Sequence, residues 1–414
     1  MEQEDLIPHL FRTEYRKITA VLCKLFGISH IEIAEDIASD TFLLASETWP
    51  FKGIPENPAA WLYTVAKNKA KDYLKRDSLF EQKIAPQITY NTSGTQEIEI
   101  DLSEQNIVDA QLQMLFAVCN PTIPAEAQIG LALRILCGFG IDEIADAFLT
   151  NKEVINKRLF RAKEKLRIEK VKIEFPNDSE INSRLETVLT TLYLLFNEGY
   201  YSSNQNVTLR KDLCLEAMRL THLLIGNRAT DKPAVNALLS LMCFHSSRFE
   251  ARVNKNGETI LYQDQDKNLW NKELIMKGEY FLNRAAHGKQ ISKYHLEAGI
   301  AYWHTIKTDT KEKWENILQF YNQLLQIEYS PIAALNRTYA LSKANGKTAA
   351  IIEAEKLNLN NSHLFHSLMG ELYTEIDNSK SIDHYKTALK FAKSAADKSV
   401  ISEKILALGS FKIN

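Results

Sequence analysis

The sequence predicts an all-α protein, and three observations carry that prediction. Glycine and proline are sparse, at 15 and 10 of 414 residues. Apolar residues recur at helical spacing through most of the chain. The alternation of apolar and polar residues that is typical of strands is rare. The chain therefore predicts helical domains joined by short breaks, without a sheet.

Two breaks in the helical pattern divide the chain. A polar stretch without helical period ends the first region, and FPNDS at 175–179 ends the second. We expect helical domains at 1–77, 107–172, 180–305 and 306–414, with a flexible linker at 78–106.

Composition and charge exclude several classes of protein. The net charge is −2, and the hydrophobic and charged fractions, 45% and 25%, are ordinary for a globular protein. The five cysteines are scattered without a CxxC, which favours reduced structural thiols over a zinc site. The N-terminus lacks an apolar signal core, and no apolar run is long enough to span a membrane. We therefore expect a cytoplasmic protein with no membrane association, metal or cofactor.

The first region begins with an apolar helical stripe between Leu10 and Phe26, which Gly27 ends. Residues 30–50 follow with five acids and neither lysine nor arginine. Such a face is either solvated or docks on a basic protein partner. Both interpretations stay open from the pattern alone.

A second helix of this region starts near Pro58 and interleaves rings with cations. From Trp61 to Asp77 it carries five cations and two acids, a net charge of +3. Cations can bind phosphates, and exposed rings can stack on bases taken out of a duplex. The alternative is that Trp61 and Tyr73 belong partly to the core.

Residues 141–167 read as two helices joined by a tight turn. Thr150 is predicted to cap the second helix, with Glu153 three residues on as a capping box. A buried stripe is predicted at Ile155, Leu159, Ala162 and Leu166. From Lys152 to Lys172 there are nine cations against three glutamates, a net charge of +6.

This basic helix has a second face. Asn156, Lys157, Phe160, Arg161 and Glu164 point away from the apolar stripe. A helix held by its apolar side and offering amides and cations suits a DNA major groove. A structural hairpin with a solvated charged face is the other interpretation.

The C-terminal half offers no convincing catalytic arrangement. Glu198, Asp264 and Asp266 lie next to aromatic residues, and we expect them to make buried polar contacts between helices. Residues 311–405 read as stacked helix pairs. Gly370 and Tyr385 belong to a tetratricopeptide-like pattern over residues 364–392. Such pairs stack and leave a concave protein-binding surface.

The chain resembles bacterial sigma factors of the extracytoplasmic-function type, most closely those with a long C-terminal tetratricopeptide extension. The segment AEDIASDTFLLASETWP resembles the polymerase-binding part of the σ2 domain. The segment IPENPAAWLYTVAKNKAKDYLKR resembles the part that reads and opens the −10 element. Residues 127–167 resemble the σ4 domain, and LYLLFNEGYYSS, LYQDQDKNLW and SPIAALNRTYAL resemble signatures of the extension.

The resemblance implies partners and roles for particular residues. The partners are core RNA polymerase, through its β′ clamp helices and β flap, promoter DNA, and a regulatory protein on the extension. The implied polymerase contacts are Glu35, Asp36, Asp40 and Phe42. The implied −10 contacts are Trp61, Tyr63, Lys67, Asn68 and Lys71, and the implied −35 contacts are Lys152, Asn156, Lys157, Phe160 and Arg161.

The sequence is therefore interpreted as an alternative sigma factor, not an enzyme, whose extension regulates activity or binds a partner. Two other classes remain. A helix-turn-helix regulator with a tetratricopeptide sensory domain would bind duplex DNA alone. A tetratricopeptide scaffold would show no salt-dependent DNA binding with polymerase.

Overall fold

The structure is a computed structural model that describes residues 3–76, 99–148, 150–200, 209–253, 260, 262–288, 290–393 and 395–410. Within these residues every extended regular element is helical, which confirms the all-α prediction. The chain forms two compact units, residues 1–198 and 199–414.

The described residues of the first unit form seven helices and most of an eighth. These are α1 (Gln3–Phe26), α2 (Ile31–Lys52), α3 (Pro58–Arg76), α4 (Glu104–Val118), α5 (Ala125–Leu131), α6 (Ile141–Ala147), α7 (Lys152–Ile168) and α8 (Ile181–Tyr200). A short 3-10 turn, Ile28–His30, joins α1 to α2, and a π-helical turn, Ala132–Leu136, continues α5. The breaks at Gly27 and at residues 175–179 therefore fall between helices, whereas Pro50 lies inside α2.

Helix α1 is the centre of the first unit. It packs against α2, α3, α4 and the π-helical turn after α5. Its side chains Tyr15, Ile18 and Leu22 are fully buried. The two N-terminal regions read from the sequence as separate domains thus share one core.

The expected linker is shorter than 78–106 in the described residues. Residues 77–98 lie outside the described part, and α4 already begins at Glu104. Ser103 caps this helix, because its hydroxyl accepts a hydrogen bond from the backbone N–H of Asn106. Ile100 and Leu102 are buried, so the end of the predicted linker belongs to the core.

The second unit consists of α9 (Lys211–Ile225), α10 (Pro233–Ser246), α11 (Phe249–Arg252), α12 (Lys272–Ala285), α13 (Lys293–Thr305), α14 (Lys311–Ile327), α15 (Pro331–Asn345), α16 (Lys347–Glu355), α17 (His363–Tyr373), α18 (Asn378–Phe391) and α19 (Ala395–Ser410). Helix α10 packs against α9, α12 and α13. From α13 to α19 each helix packs against the next, as expected for stacked helix pairs.

Helices α17 and α18, which carry the tetratricopeptide-like pattern, pack closely against each other. Gly370 faces the ring of Tyr385, and a Cβ at this glycine would lie 2.9 Å from ring atoms. Tyr385 and Ala388 are buried against α19 and its neighbours. A glycine is needed here because the ring occupies the space of any side chain.

Candidate nucleic-acid and protein interfaces

The basic helix α7 exposes all five of its predicted DNA contacts. Lys152, Asn156, Lys157, Phe160 and Arg161 are exposed, and Phe160 keeps 64% of its surface accessible. Of this set, Lys152 forms an ion pair with Asp142 on α6, at 3.3 Å.

The opposite side of α7 is the apolar stripe that the spacing predicts. Ile155, Leu159, Ala162 and Leu166 are buried. Leu159 packs on α5, where a Cβ added at Gly130 would lie 2.9 Å from its Cδ2. The stripe thus fixes the rotation of α7 and turns the five exposed residues outward.

The start of α7 differs from the expected capping box. Asn151, not Thr150, is the cap, and its side-chain oxygen accepts from the backbone N–H of Val154 at 2.9 Å. An asparagine oxygen reaches the third N–H of a helix as well as a hydroxyl does. The helix therefore begins one residue later than predicted.

Helix α3 carries the predicted −10 contacts in mixed environments. Asn68 is exposed, while Trp61, Tyr63, Lys67 and Lys71 are half-buried. The indole of Trp61 packs edge-on against that of Trp49, with ring centroids 5.4 Å apart. The interpretation of Trp61 as partly core therefore fits its position.

Tyr63 is engaged with α1. Its hydroxyl donates to Glu14 Oε2 at 2.5 Å, and burial followed by this carboxylate raises the pKa of the phenol. The ring therefore stays neutral and anchored. Tyr73 likewise packs edge-on against Phe26.

The four predicted polymerase contacts on the acidic helix α2 differ in their exposure to solvent. Asp36 and Asp40 are exposed, and Asp40 forms an ion pair with Lys69 on α3 at 3.2 Å. Phe42 is buried against the rings of Phe11 and Tyr15. Glu35 is only 7% exposed.

Glu35 is buried because cations from two other helices surround its carboxylate. Arg134 Nε lies 2.7 Å from Oε1, and Lys163 Nζ lies 2.7 Å from Oε2. Lys163 comes from the inward side of α7 and is 9% exposed. We call Glu35, Arg134 and Lys163 the Glu35 cluster.

A second ion pair extends the Glu35 cluster toward the surface. Arg167 donates to Glu32 Oε2 at 2.7 Å and to the carbonyl of Ser29 at 3.2 Å. The partners are more than a hundred residues apart in the chain, so no local sequence pattern points to them. The basic character of α7 alone therefore does not indicate that two of its cations, Lys163 and Arg167, hold α2.

The acids expected to be buried in the C-terminal half are mostly exposed. Asp264 and Asp266 are exposed, so this expectation was wrong for both. Asp266 caps a short 3-10 turn by accepting from the N–H of Asn268 at 2.9 Å. Glu198 is half-buried, and burial raises its pKa, with Glu126 adding to the shift.

Neither a metal centre nor a membrane span emerges from the described residues. They contain no group of three or more histidine, cysteine, aspartate or glutamate side chains that could hold a metal. Among the described helices none is long and apolar enough to cross a membrane.

Two parts of the chain match family models. Residues 10–79 match sigma-70 region 2, a range that includes most of α1 and all of α2 and α3. Residues 184–286 match a family of unknown function, DUF6596, which runs from α8 to the end of α12.

Two curated proteins are similar to this chain. An uncharacterized protein of Rhizobium meliloti is 33% identical over 352 residues, or 84% of this chain and 83% of that protein. The ECF RNA polymerase sigma-E factor of Haemophilus influenzae is 27% identical over 107 residues, 25% of this chain and 57% of that protein. No solved structure matches the chain.

Proposed function

We propose a function from the premise that this chain belongs to the same protein family as the uncharacterized protein of Rhizobium meliloti and carries a sigma-70 region 2 domain. The chain is an alternative sigma factor that binds core RNA polymerase and directs initiation at particular promoters. The observation that carries the proposal is the pairing, within one compact unit, of region 2 with an exposed basic face on α7.

The face of α7 is the proposed −35 reader. Asn156 and Arg161 can donate to base edges in the major groove, and Lys152 and Lys157 can bind phosphates. Phe160 can contact a thymine methyl group. Residues 107–172 would then be the σ4 domain, with α6 and α7 as its helix-turn-helix, and would also meet the β flap.

Helix α3 is the proposed −10 reader. Lys67, Asn68 and Lys71 offer cations and an amide along one helix. Trp61 and Tyr63 are held by Trp49 and Glu14, so they can present ring edges without losing entropy on binding. This rigidity supports a role in holding the −10 strand in a fixed position.

Helix α2 is the proposed polymerase contact, within a σ2 domain at 1–77. The exposed Asp36 and Asp40 would meet basic groups of the β′ clamp helices, while Phe42 holds α2 on α1. Glu35 is covered by Lys163 and Arg134, so its carboxylate would become available only after α7 leaves α2. Polymerase would therefore bind an opened form of the first unit.

The second unit is the proposed regulatory part. Its helices from α13 to α19 stack in succession, which supports a tetratricopeptide-like surface for a protein partner. A chain that ends after α8, at Tyr200, would test this role. If promoter activity and stability were unchanged in the truncated chain, the second unit would have no regulatory role. The site of action would be the cytoplasm, where polymerase and the chromosome are.

The test is in vitro transcription with core polymerase on DNA from the neighbourhood of the protein's own gene. Wild-type protein should give specific starts, and Lys157→Ala plus Arg161→Ala should weaken them at least tenfold. Lys272→Ala plus Lys277→Ala, on exposed positions of α12, is the matched control for lost charge. Specific duplex binding without polymerase would instead favour a conventional helix-turn-helix regulator.

A further inference from the structure

A group of side chains in the second unit surrounds the ring of Tyr262. The guanidinium carbon of Arg248 lies 5.4 Å from the ring centroid, and Lys313 Nζ lies 5.5 Å from it. The rings of Trp270 and His304 lie 6.2 Å and 4.8 Å away. We call these five residues the Tyr262 cluster.

Arg248 is buried without a matching anion. It is 7% exposed, and its hydrogen bonds are two contacts of 3.4 Å, to the hydroxyl of Tyr200 and to His245 Nδ1. Its Nε–H makes no hydrogen bond. Among the described residues no carboxylate pairs with it. A guanidinium carries five N–H donors, so most of its capacity is unused.

Lys313 adds a second buried cation. It is 1% exposed and donates to the carbonyl of Ile306 at 2.9 Å and to the hydroxyl of Tyr262 at 3.1 Å. The nearby carboxylate of Asp309 accepts from the indole N–H of Trp314 at 2.5 Å. Within the described residues Lys313, like Arg248, forms no ion pair.

In the first unit, by contrast, a buried cation has a carboxylate partner. Lys163 there meets the carboxylate of Glu35 at 2.7 Å. A buried charge without a partner is unfavourable because it loses its hydration without gaining an opposite charge. In the Tyr262 cluster, by contrast, Asp309 acts on Lys313 without forming an ion pair with it, and among the described residues no carboxylate contacts Arg248.

The histidine of the cluster does not compensate for these charges. Burial, followed by repulsion from Arg248 and Lys313, lowers the pKa of His304 to about 3, so this ring is neutral near pH 7. Its Nδ1 makes no hydrogen bond, and neither does the indole N–H of the buried Trp270. Gln265, also buried, has an unpaired Oε1. The unused groups are thus two firm donors, a ring nitrogen and an amide oxygen.

We propose that the Tyr262 cluster is the binding site of a small anionic molecule with a carboxylate or phosphoryl group. The anion would accept hydrogen bonds from the Nε–H of Arg248 and the indole N–H of Trp270, and it would neutralise the buried charge. Arg248, Tyr262 and Trp270 lie in the segment of unknown function, residues 184–286. This inference gives that segment a ligand and does not depend on the sigma-factor function.

Thermal unfolding of the full chain, titrated with sodium phosphate or sodium succinate at constant ionic strength, tests the proposal. A ligand that binds only the native state raises the midpoint in a saturable way. We expect such a rise with one of the two anions, and which one it is identifies the phosphoryl or the carboxylate source. A midpoint that does not rise saturably with either anion would overturn the proposal.

Variants at Arg248 test whether the anion binds at the Tyr262 cluster. Arg248→Gln should weaken the affinity at least tenfold, and Arg228→Gln, at an exposed position of the same unit, should leave it unchanged. Arg248→Lys keeps the buried charge but loses the Nε–H and the fork. Arg248→Lys replaces Arg248→Gln in the test if the glutamine variant does not fold. It should also bind the anion at least tenfold more weakly. Wild-type affinity in either Arg248 variant would place the anion elsewhere and refute the site.

Discussion

Replacing Glu35 by glutamine should loosen the attachment of α7 to α2 by a predictable amount. The substitution keeps the shape of the side chain but leaves Lys163 and Arg134 without their shared carboxylate, which each meets at 2.7 Å. Removing one partner of a buried ion pair costs about 3–5 kcal/mol. Lys163 retains Glu32 at 3.5 Å, and Arg134 retains the carbonyl of Phe139 at 3.2 Å. We therefore expect the low end, about 3 kcal/mol.

Native-state hydrogen exchange of the α7 amides measures this loss directly. A loss of about 3 kcal/mol corresponds to exchange roughly 100-fold faster, since 1.4 kcal/mol is a factor of ten. Asp36→Asn is the matched control, because Asp36 is the next residue and is exposed. Its effect should stay within about 0.5 kcal/mol.

A double-mutant cycle separates the ion pair from general damage. Glu35→Gln and Lys163→Met should couple by about 1 kcal/mol or more, since the two side chains are in direct contact. Equal protection in Glu35→Gln and Asp36→Asn, or a coupling energy near zero, would refute the reasoning that the Glu35 cluster holds α7 on α2.

Four further results are expected. Lys163→Met alone should tighten binding to core polymerase several-fold in fluorescence anisotropy, because it eases the release of Glu35; weaker binding would contradict the opened form. Gly278→Ala should lower the midpoint of thermal unfolding by the equivalent of about 1–3 kcal/mol, since its Cβ would lie 2.5 Å from the ring of Phe244. Asn151→Ala should cost about 1 kcal/mol by removing the cap of α7, as measured by exchange of its first-turn amides. His304 has a native pKa of about 3, below the unfolded value near 6.5, so the unfolded state binds more protons between these pH values and stability falls on acidification. This loss should reach about 2 kcal/mol at pH 5 and shrink in His304→Gln, and an equal slope in the variant would contradict it.

The helical architecture follows from local patterns and was predictable. The apolar stripe of α7, from Ile155 to Leu166, is buried as its spacing requires. Gly370 and Tyr385 belong to one local sequence pattern, and in the structure the ring of Tyr385 fills the space beside Gly370. These features depend on residues a few positions apart or on a single steric requirement.

The contacts between distant segments were not predictable from one sequence. Lys163 lies four residues after Leu159, so helical spacing places it beside the buried stripe, but its partner Glu35 is 128 residues away and no local pattern points to it. Arg248 lies in the turn between α10 and α11, and Lys313 lies in the first turn of α14; only packing shows that both are buried. The cap of α7 was predicted at Thr150 and is Asn151 in the structure. Both residue types form N-caps, so propensity alone does not determine which of two adjacent positions is the cap.

Binding of the full chain to core RNA polymerase is the most direct test of the proposed function. A fluorescently labelled chain should bind core in a saturable 1:1 manner. Binding should weaken at least tenfold in Asp36→Lys plus Asp40→Lys, since these exposed acids would face basic groups. Absence of saturable binding, both for the wild-type chain and for the loosened Lys163→Met variant, would contradict the assignment as a sigma factor.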